Sequence, residues 1–449
     1  MYLPNLSLCY TFYGKKKQGL ILTTPLWYNS LLTLIKPLYR LRVKQRFGHL
    51  DDYQQEVDER FGNFQPVKNK NTIWFHAVSV GETNAAQPLI EHYLKLGQAV
   101  LVTNTTRTGQ ARAKSLFAEK YPTLFQAVYL PIDQKHLIEK FVVLNQPRIL
   151  LLMETELWPN LLSIVHQHHI PQLLLNARLS EKSAKGYGKF QRLTFPMLQQ
   201  LDWIAAQDQA TFDRFHHLGK SQSEMSVVGN VKFDITAPKH FIQQASQLRQ
   251  EWQLQQRKIM VLASTHAAEE QQILAALTSA LFKDKDLLCI VVPRHPERFD
   301  AVFTEIEKLG LKAHRRSLGQ TIEPDTQVYL ADSMGELWLW YALAQVAYVG
   351  GSLNEPGGGH NILEPIALNV PTILGKNYFN FQHIIDEFVE HDAVKVVQNT
   401  DEAAQILLDL FDNQAQRDQM NQQAQQILQA NQGALAQHIA LIDRYLVAQ

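Results

Sequence analysis

Val349-Gly350-Gly351-Ser352-Leu353-Asn354-Glu355-Pro356-Gly357-Gly358-Gly359-His360-Asn361-Ile362-Leu363-Glu364-Pro365 joins an apolar, strand-like run to a glycine-rich loop and then to a helix start. Strand, loop and helix in that order are the opening of a βαβ unit, and glycines at the joint let the backbone approach a ligand closely. Free N–H groups and the positive dipole end of the following helix favour an anion. The pattern therefore predicts a phosphate site over Gly350, Gly351, Ser352 and the segment Asn361, Ile362, Leu363 and Glu364. Glu364 falls about one helical turn past His360, placed for the hydroxyls of a ribose carried by that phosphate. The alternative is a tight turn that holds nothing; five glycines at one junction weigh against it.

The same rhythm extends outward from this stretch. Short apolar runs at 73–78, 99–103, 127–130, 148–153, 172–175 and 203–206 alternate with longer amphipathic stretches. Such βαβα alternation builds a parallel sheet with helices on both faces. A second series, at 259–263, 287–292, 328–330, 346–349 and 372–374, predicts a second sheet of the same kind. Turn formers over 230–238 precede a long polar helix and put the boundary near Ala237. The organisation expected is an N-terminal hydrophobic and basic segment at 1–50, one Rossmann-like domain at 51–237 and another at 238–449. The Gln- and Ala-rich chain beyond Asp401 has helical spacing and reads as closing helices of the second domain.

A chain of 449 residues exceeds what one hydrophobic core usually supports, which agrees with two domains. With 45% hydrophobic and 19% charged residues it is globular. Lys+Arg and Asp+Glu both total 43, so no global field recruits nucleic acid, and an anionic substrate must be held by local groups. Cys9 and Cys289 are far apart, which argues against a disulfide framework and fits a reducing compartment.

The N-terminus differs in kind. Between Gly19 and Leu38 the chain is rich in Leu, Ile, Trp and Tyr but interrupted by Pro25, Asn29, Ser30 and Lys36. The length just suffices to span a bilayer, and Trp27 and Tyr28 suit a membrane–water interface. Lys36, Arg40, Arg42, Lys44 and Arg46 outnumber Lys15, Lys16 and Lys17, a bias that keeps the following domains cytoplasmic. A membrane anchor, spanning or lying in the interface, is expected; an amphipathic helix packed on the protein itself is the alternative.

Candidate chemistry gathers where strands end, because the carboxyl ends of strands form the ligand crevice of open α/β sheets. His76-Ala77-Val78-Ser79-Val80-Gly81-Glu82 leaves the first strand, and Glu82 is a candidate general base. An acid in a helix's first turn, favoured by the macrodipole alone, is the competing reading. Glu154 ends another strand and can add a second carboxylate, Arg178 follows the next, and Lys232 lies near the domain boundary. In the second domain Ser264, Thr265 and His266, then Pro293 and Arg294, follow strands, and a guanidinium can grip phosphate with two hydrogen bonds. Met334, Gly335, Glu336 and Leu337 follow another and can line a base or sugar pocket. Each alone is commoner as ordinary loop chemistry; their joint placement at strand ends is harder to dismiss. His166, His168 and His169 lack carboxylates at metal-ligand spacing, and neither Gly-x-Gly-x-x-Gly after the first strand nor a P-loop is present, so no metal or cofactor is expected.

Taken in order, Ser79-Val80-Gly81-Glu82, Glu154-Thr155-Glu156-Leu157-Trp158-Pro159-Asn160, Asn176-Ala177-Arg178-Leu179-Ser180, Lys232-Phe233-Asp234, Ser264-Thr265-His266, Pro293-Arg294-His295-Pro296-Glu297-Arg298-Phe299 and Gly359-His360-Asn361-Ile362-Leu363-Glu364-Pro365 closely resemble the 3-deoxy-D-manno-octulosonic acid (Kdo) transferases of lipid A assembly. The likeness runs from about Leu26 to the C-terminus. It implies an α/β fold of the GT-B class, two Rossmann-like domains facing a central cleft, with an N-terminal hydrophobic anchor helix. It further implies CMP-Kdo as donor, a lipid A precursor (lipid IVA) as acceptor, inversion of configuration, and a place among inner membrane lipids on the cytoplasmic face. By the same resemblance Glu82 matches the catalytic base, and Glu154 and Lys232 match positions that stabilise the transition state. Pro293 and Arg294, the segment 334–337, and the segment 361–364 match CMP-binding stretches. Residues 1–25 depart from the family pattern, in which the hydrophobic segment begins almost at the initiator. A GT-B sugar-nucleotide epimerase and a membrane-associated nucleotide-sugar binding protein are the alternative readings.

Overall fold

The computed structural model describes residues 24–447. The readings of Cys9, Lys15, Lys16, Lys17 and residues 19–23 lie outside the described residues. The chain forms two compact units, one reaching Val231 and taking in the chain again from Gly433, the other Lys232–Gln432.

In the first unit seven strands, β1 (Ile73–His76), β2 (Val100–Asn104), β3 (Phe125–Tyr129), β4 (Ile149–Met153), β5 (Gln172–Ala177), β6 (Trp203–Ala206) and β7 (Met225–Val227), form one sheet in the order β3-β2-β1-β4-β5-β6-β7. All pairings are parallel, with Ile73 opposite both Val100 and Ile149. β1, β2, β4 and β5 are buried along their whole length, as strands covered by helices on both faces must be. The chain leaves β1 toward β2 and β3, then returns to lay β4 against the other side of β1. The gap between β1 and β4 is thus the sheet's topological switch point, where such folds bind ligands.

The second unit repeats the plan. Strands β8 (Lys258–Thr265), β9 (Leu287–Pro293), β10 (Ala313–Arg315), β11 (Val328–Leu330), β12 (Val346–Val349), β13 (Thr372–Gly375) and β14 (Val394–Val397) are ordered β10-β11-β9-β8-β12-β13-β14, again all parallel. Here the switch point lies between β8 and β12, so the glycine-rich stretch after β12 leaves the sheet where a ligand is expected.

The boundaries differ from those expected. The break comes at Val231/Lys232, and the final helix, Ala434–Val447, belongs to the first unit. There Tyr93 Oη donates to Asp443 Oδ1 at 2.9 Å, His438 Nε2 accepts the Asn176 N–H at 2.9 Å, and Ile442 and Tyr445 join the core around β1. Composition identified the helix; only these contacts, hundreds of residues apart in sequence, say which unit it closes.

The expected anchor is a 22-residue helix, Leu26–Phe47, which touches the rest of the first unit near both ends. Tyr28 Oη donates to Asp133 Oδ2 at 2.9 Å, and Asp133 also accepts the N–H groups of Asn160 and Leu161. Leu31, Leu34, Ile35, Leu38 and Leu41 are exposed, and Val43 is buried. Among the described residues no helix is long and apolar enough to cross a membrane. Five basic residues between Lys36 and Arg46 are the physical reason, since each is costly in hydrocarbon.

Candidate active site

Glu82 sits in the first turn of the helix Val80–Lys95, which begins directly after β1. Ser79 caps that helix, its Oγ accepting from the Glu82 N–H, and Glu82 reaches back, a reciprocal arrangement that S-x-x-E sequences favour. Its Oε2 accepts the Val78 N–H at 2.8 Å and its Oε1 accepts the Ser79 hydroxyl at 2.9 Å. Burial, reinforced by the charges of Glu156 and Glu154, pushes its carboxyl up to about 7, while the Val78 and Ser79 hydrogen bonds oppose the rise. The cap therefore does not exclude the catalytic reading. It fixes the carboxylate's position, and burial raises its proton affinity into the range that a base working near neutral pH requires.

Glu154 follows β4 across the switch point and holds φ at +57°, a left-handed conformation uncommon for a residue with a side chain. Its backbone is pinned on both sides, the N–H donating to Leu175 O at 3.0 Å and the carbonyl accepting the Arg178 N–H at 3.2 Å. Such backbone tension collects at functional sites. Glu156 is a third carboxylate that the sequence reading left without a role. It accepts Trp158 Nε1 at 2.8 Å, stands 4.0 Å from His76 Nε2, and is itself raised by burial and by Glu154. His76 is held neutral over the ordinary range, burial bringing it down to about 4. Lys232, half-buried on the short turn Val231–Phe233, is the first residue of the second unit.

The second unit gathers cations and imidazoles instead. Ser264, the last residue but one of β8, holds φ at +54°, and His266 follows the strand; Pro293 ends β9, and the Arg294 N–H donates to Thr265 O at 3.0 Å. His266 Nε2 and His360 Nε2 lie 2.8 Å apart, with the His295 ring edge-on to His266. Burial lowers both partners of the pair, His266 adds to the lowering of His360, Arg294 and His295 add to both while Glu269 opposes it, and His360 falls to about 4. Arg294 and Met334 are exposed, Gly335 is left-handed at φ +83°, and Leu337 opens the next helix. The Glu336 carboxylate is committed to Arg316, which grips it with Nε at 3.1 Å and Nη2 at 2.7 Å. Asn361 donates to Glu364 Oε1 at 3.3 Å, and burial raises the Glu364 carboxyl.

The glycine loop itself departs from the expected phosphate cradle. Its first N–H groups already hold an anion, the carboxylate of Glu269. Glu269 Oε2 accepts Gly351 N at 2.7 Å and His266 N at 2.9 Å, and Oε1 accepts Leu353 N at 2.8 Å, Ser352 N at 3.0 Å and Tyr348 Oη at 3.0 Å. Gly350 N donates to Ala263 O, and the Ser352 hydroxyl donates to Val349 O while accepting Gly375 N. Gly350, Gly351 and Ser352 thus shape the loop, their N–H groups engaged by Ala263 and Glu269. The helix that follows starts at Leu363 and spans five residues, Leu363–Ala367, so little dipole stands behind Asn361. Gly351 is fixed by geometry: its φ is +67°, and a Cβ there would meet His360 Nε2 at 2.8 Å.

Fold and site together define an α/β protein with two parallel sheets of the GT-B-like class. The UDP-GlcNAc 2-epimerase of Neisseria meningitidis, solved with UDP-GlcNAc, resembles it with a TM-score of 0.53 over 84% of this chain and 100% of that one. At 13% identity that likeness is one of fold alone. The family described as 3-deoxy-D-manno-octulosonic-acid transferase (kdotransferase) matches residues 55–235. The 3-deoxy-D-manno-octulosonic acid transferase of Haemophilus influenzae is 36% identical over 427 residues, covering 94% of this chain and 98% of the relative. The chain belongs to the Kdo transferase family, and it is a glycosyltransferase that moves Kdo in lipopolysaccharide biosynthesis. The solved C-terminal CMP-Kdo binding domain of WaaA from Acinetobacter baumannii is 58% identical, covering 43% of this chain and 100% of that domain, at a TM-score of 0.43. The epimerase alternative is left with similarity of fold only.

Proposed function

We propose that the first unit receives a lipid A precursor and the second receives CMP-Kdo, with Glu82 as the base of an inverting transfer. The observation that carries this reading is a carboxylate at the switch point of the first sheet, fixed by Val78 and Ser79 and pushed up to about 7. Glu82 takes the proton of an acceptor hydroxyl as its oxygen attacks the anomeric carbon of Kdo. The bond from that carbon to the CMP phosphate breaks, and the phosphate leaves with the electron pair on the opposite face. Negative charge grows on the departing phosphate, where Arg294 and Lys232 stabilise it electrostatically. Glu154 stabilises positive charge that develops at the sugar ring. Arg294, Pro293 and the segments 334–337 and 361–364 hold CMP, with Ser264, His266 and the loop 350–352 shaping their surroundings.

The helix Leu26–Phe47 supports a membrane-associated reading. Its row of exposed leucines suits burial in the interface, and its bases suit anionic lipid on the cytoplasmic face of the inner membrane. Incubation of the protein with CMP-Kdo and lipid IVA tests the whole reading. Release of CMP without sugar on the lipid, or no turnover, would reject it; a product heavier by Kdo is the expected outcome.

A further inference from the structure

A cavity of about 430 Å³ in the first unit is lined by Arg42, Arg46, Arg60, Arg107, Thr106 and Glu56, among others. Four guanidiniums face it against a single carboxylate. Glu56 is spoken for by two of them: Arg60 Nε donates to it at 2.9 Å, and Arg107 also pairs with it and with Asp52. Arg60 and Arg107 are held in place further by the rings of Tyr129 and Phe47, at 4.4 and 5.0 Å from their guanidinium carbons. Among the described residues Arg42 and Arg46 have no carboxylate partner. Two forks anchored by a carboxylate and two without one, Arg46 lying over the Phe47 ring at 5.2 Å, around one concavity are the chemistry that recognises a phosphate monoester.

Two further observations tie the cavity to the reaction. Thr106, which lines it, follows β2, the strand next to β1, and its Oγ donates to Val78 O at 2.8 Å. Val78 in turn donates its N–H to Glu82. The cavity is thus two hydrogen bonds from the base, along the edge of one sheet. On the other side, Leu34, Leu38, Arg42 and Arg46 are spaced four apart on one helix and form a single ridge. Leu34 and Leu38 are 75% and 67% exposed, so an apolar track runs straight into these two arginines.

We propose that this cavity is an acceptor subsite that takes a phosphate monoester carried by the lipid substrate, with the acyl chains along the leucine track and the reacting hydroxyl brought toward Glu82. The proposal rests on the acceptor reading above and adds the group by which the acceptor is held. The shared chemistry admits a second source, the phosphate of a bulk membrane lipid, and the test separates the two. Transfer from CMP-Kdo is measured for the wild type and for the double variant R42A/R46A, with lipid IVA before and after phosphatase treatment. Because both arginines are exposed, thermal unfolding should show the variant folded. Losing the arginines or the phosphate should each raise KM for the acceptor at least about tenfold, with kcat moving far less, and losing both should cost no more than losing one. Binding to phosphatidylglycerol vesicles should weaken far less than transfer, since Lys36, Arg40 and Lys44 of the same helix remain. Fully additive losses would overturn the subsite, as would unaltered KM in the variant. A defect confined to vesicle binding would overturn it in favour of a headgroup contact. Failure of the wild type to transfer to intact lipid IVA would instead sink the acceptor reading itself.

Discussion

The strand ends of the two units are built from opposite chemistry by the same physical means. In the first, three carboxylates, Glu82, Glu154 and Glu156, follow neighbouring strands, and burial holds Glu82 and Glu156 toward their protonated forms. In the second, His266, His295 and His360 gather near Arg294, and burial holds His266 and His360 toward their neutral forms. Desolvation disfavours charge of either sign. The lesson is that burial keeps each half from charging: the raised carboxyls of the first hold protons more readily, and the lowered imidazoles of the second stay neutral. In the proposed reaction the first half takes up a proton and the second receives negative charge.

The most severe way to break this division is to remove the base. Glu82→Gln keeps the shape and the capping geometry but cannot take the acceptor's proton. Transfer should fall by about 10²–10⁴-fold, the usual worth of general base catalysis, while CMP affinity, measured by calorimetry, stays close to wild type. Retained transfer would take Glu82 out of its role. CMP affinity falling in step with transfer would mean the two halves do not divide the work as described.

Next in size is Glu269, which distinguishes a loop that binds phosphate from one that is itself held by a carboxylate. Glu269→Ala leaves the N–H groups of His266, Gly351, Ser352 and Leu353 and the Tyr348 hydroxyl without their acceptor. At about 1–3 kcal/mol for each buried donor left unpaired, the unit should lose several kcal/mol of stability. Thermal unfolding should show a large drop in Tm and CMP affinity should fall with it. If free phosphate restored the variant's Tm, the nest would be an anion site after all, shared between ligand and carboxylate. Gly351→Ala is milder. The left-handed backbone costs a residue with a side chain about 1–2 kcal/mol, and the new methyl displaces His360. CMP binding should weaken by about tenfold, which corresponds to 1.4 kcal/mol. Unaltered affinity would separate the imidazole pair from the donor.

What the sequence disclosed and what it hid follow from range. Every apolar run between 73 and 374 that signalled a strand is one, because a strand buried on both faces must be apolar throughout. β7, β10 and β14 gave no such signal: they are short edge strands, and β10 is only half-buried. The placement of Glu82 was legible because its helix cap and its strand end are both local. Glu269 was not, since its loop partners Gly351, Ser352 and Leu353 lie more than 80 residues on, and nothing in a Glu-Glu pair opening a helix points to a distant loop. The five glycines disclosed a special backbone but not which anion fills it. The last helix shows the same limit: its periodicity is local, its docking on Tyr93, Asn176 and Asp202 is not.

The smallest expected effect is also the sharpest probe of the acid half. Glu82 lies above the ordinary carboxylate value of 4.5, at about 7, so it is protonated and inert below that point and ionised above it. The pH dependence of kcat/KM should therefore rise with pH through about 7, which rate measurements between pH 5 and 9 will show. Stability runs the other way, since a group with a raised folded value favours the fold at low pH and loses that contribution as pH climbs from 4.5 through 7. After burial, the charge of Glu156 is the largest cause of the rise. Glu156→Gln removes that charge while keeping the side chain's size, so Glu82 should ionise more readily and the ascending limb should move to lower pH. A limb that stayed in place would leave burial and the charge of Glu154 as the causes. One that moved to higher pH would show that Glu156 had been assisting ionisation, and the mutual repulsion of the acids would no longer describe this half of the molecule.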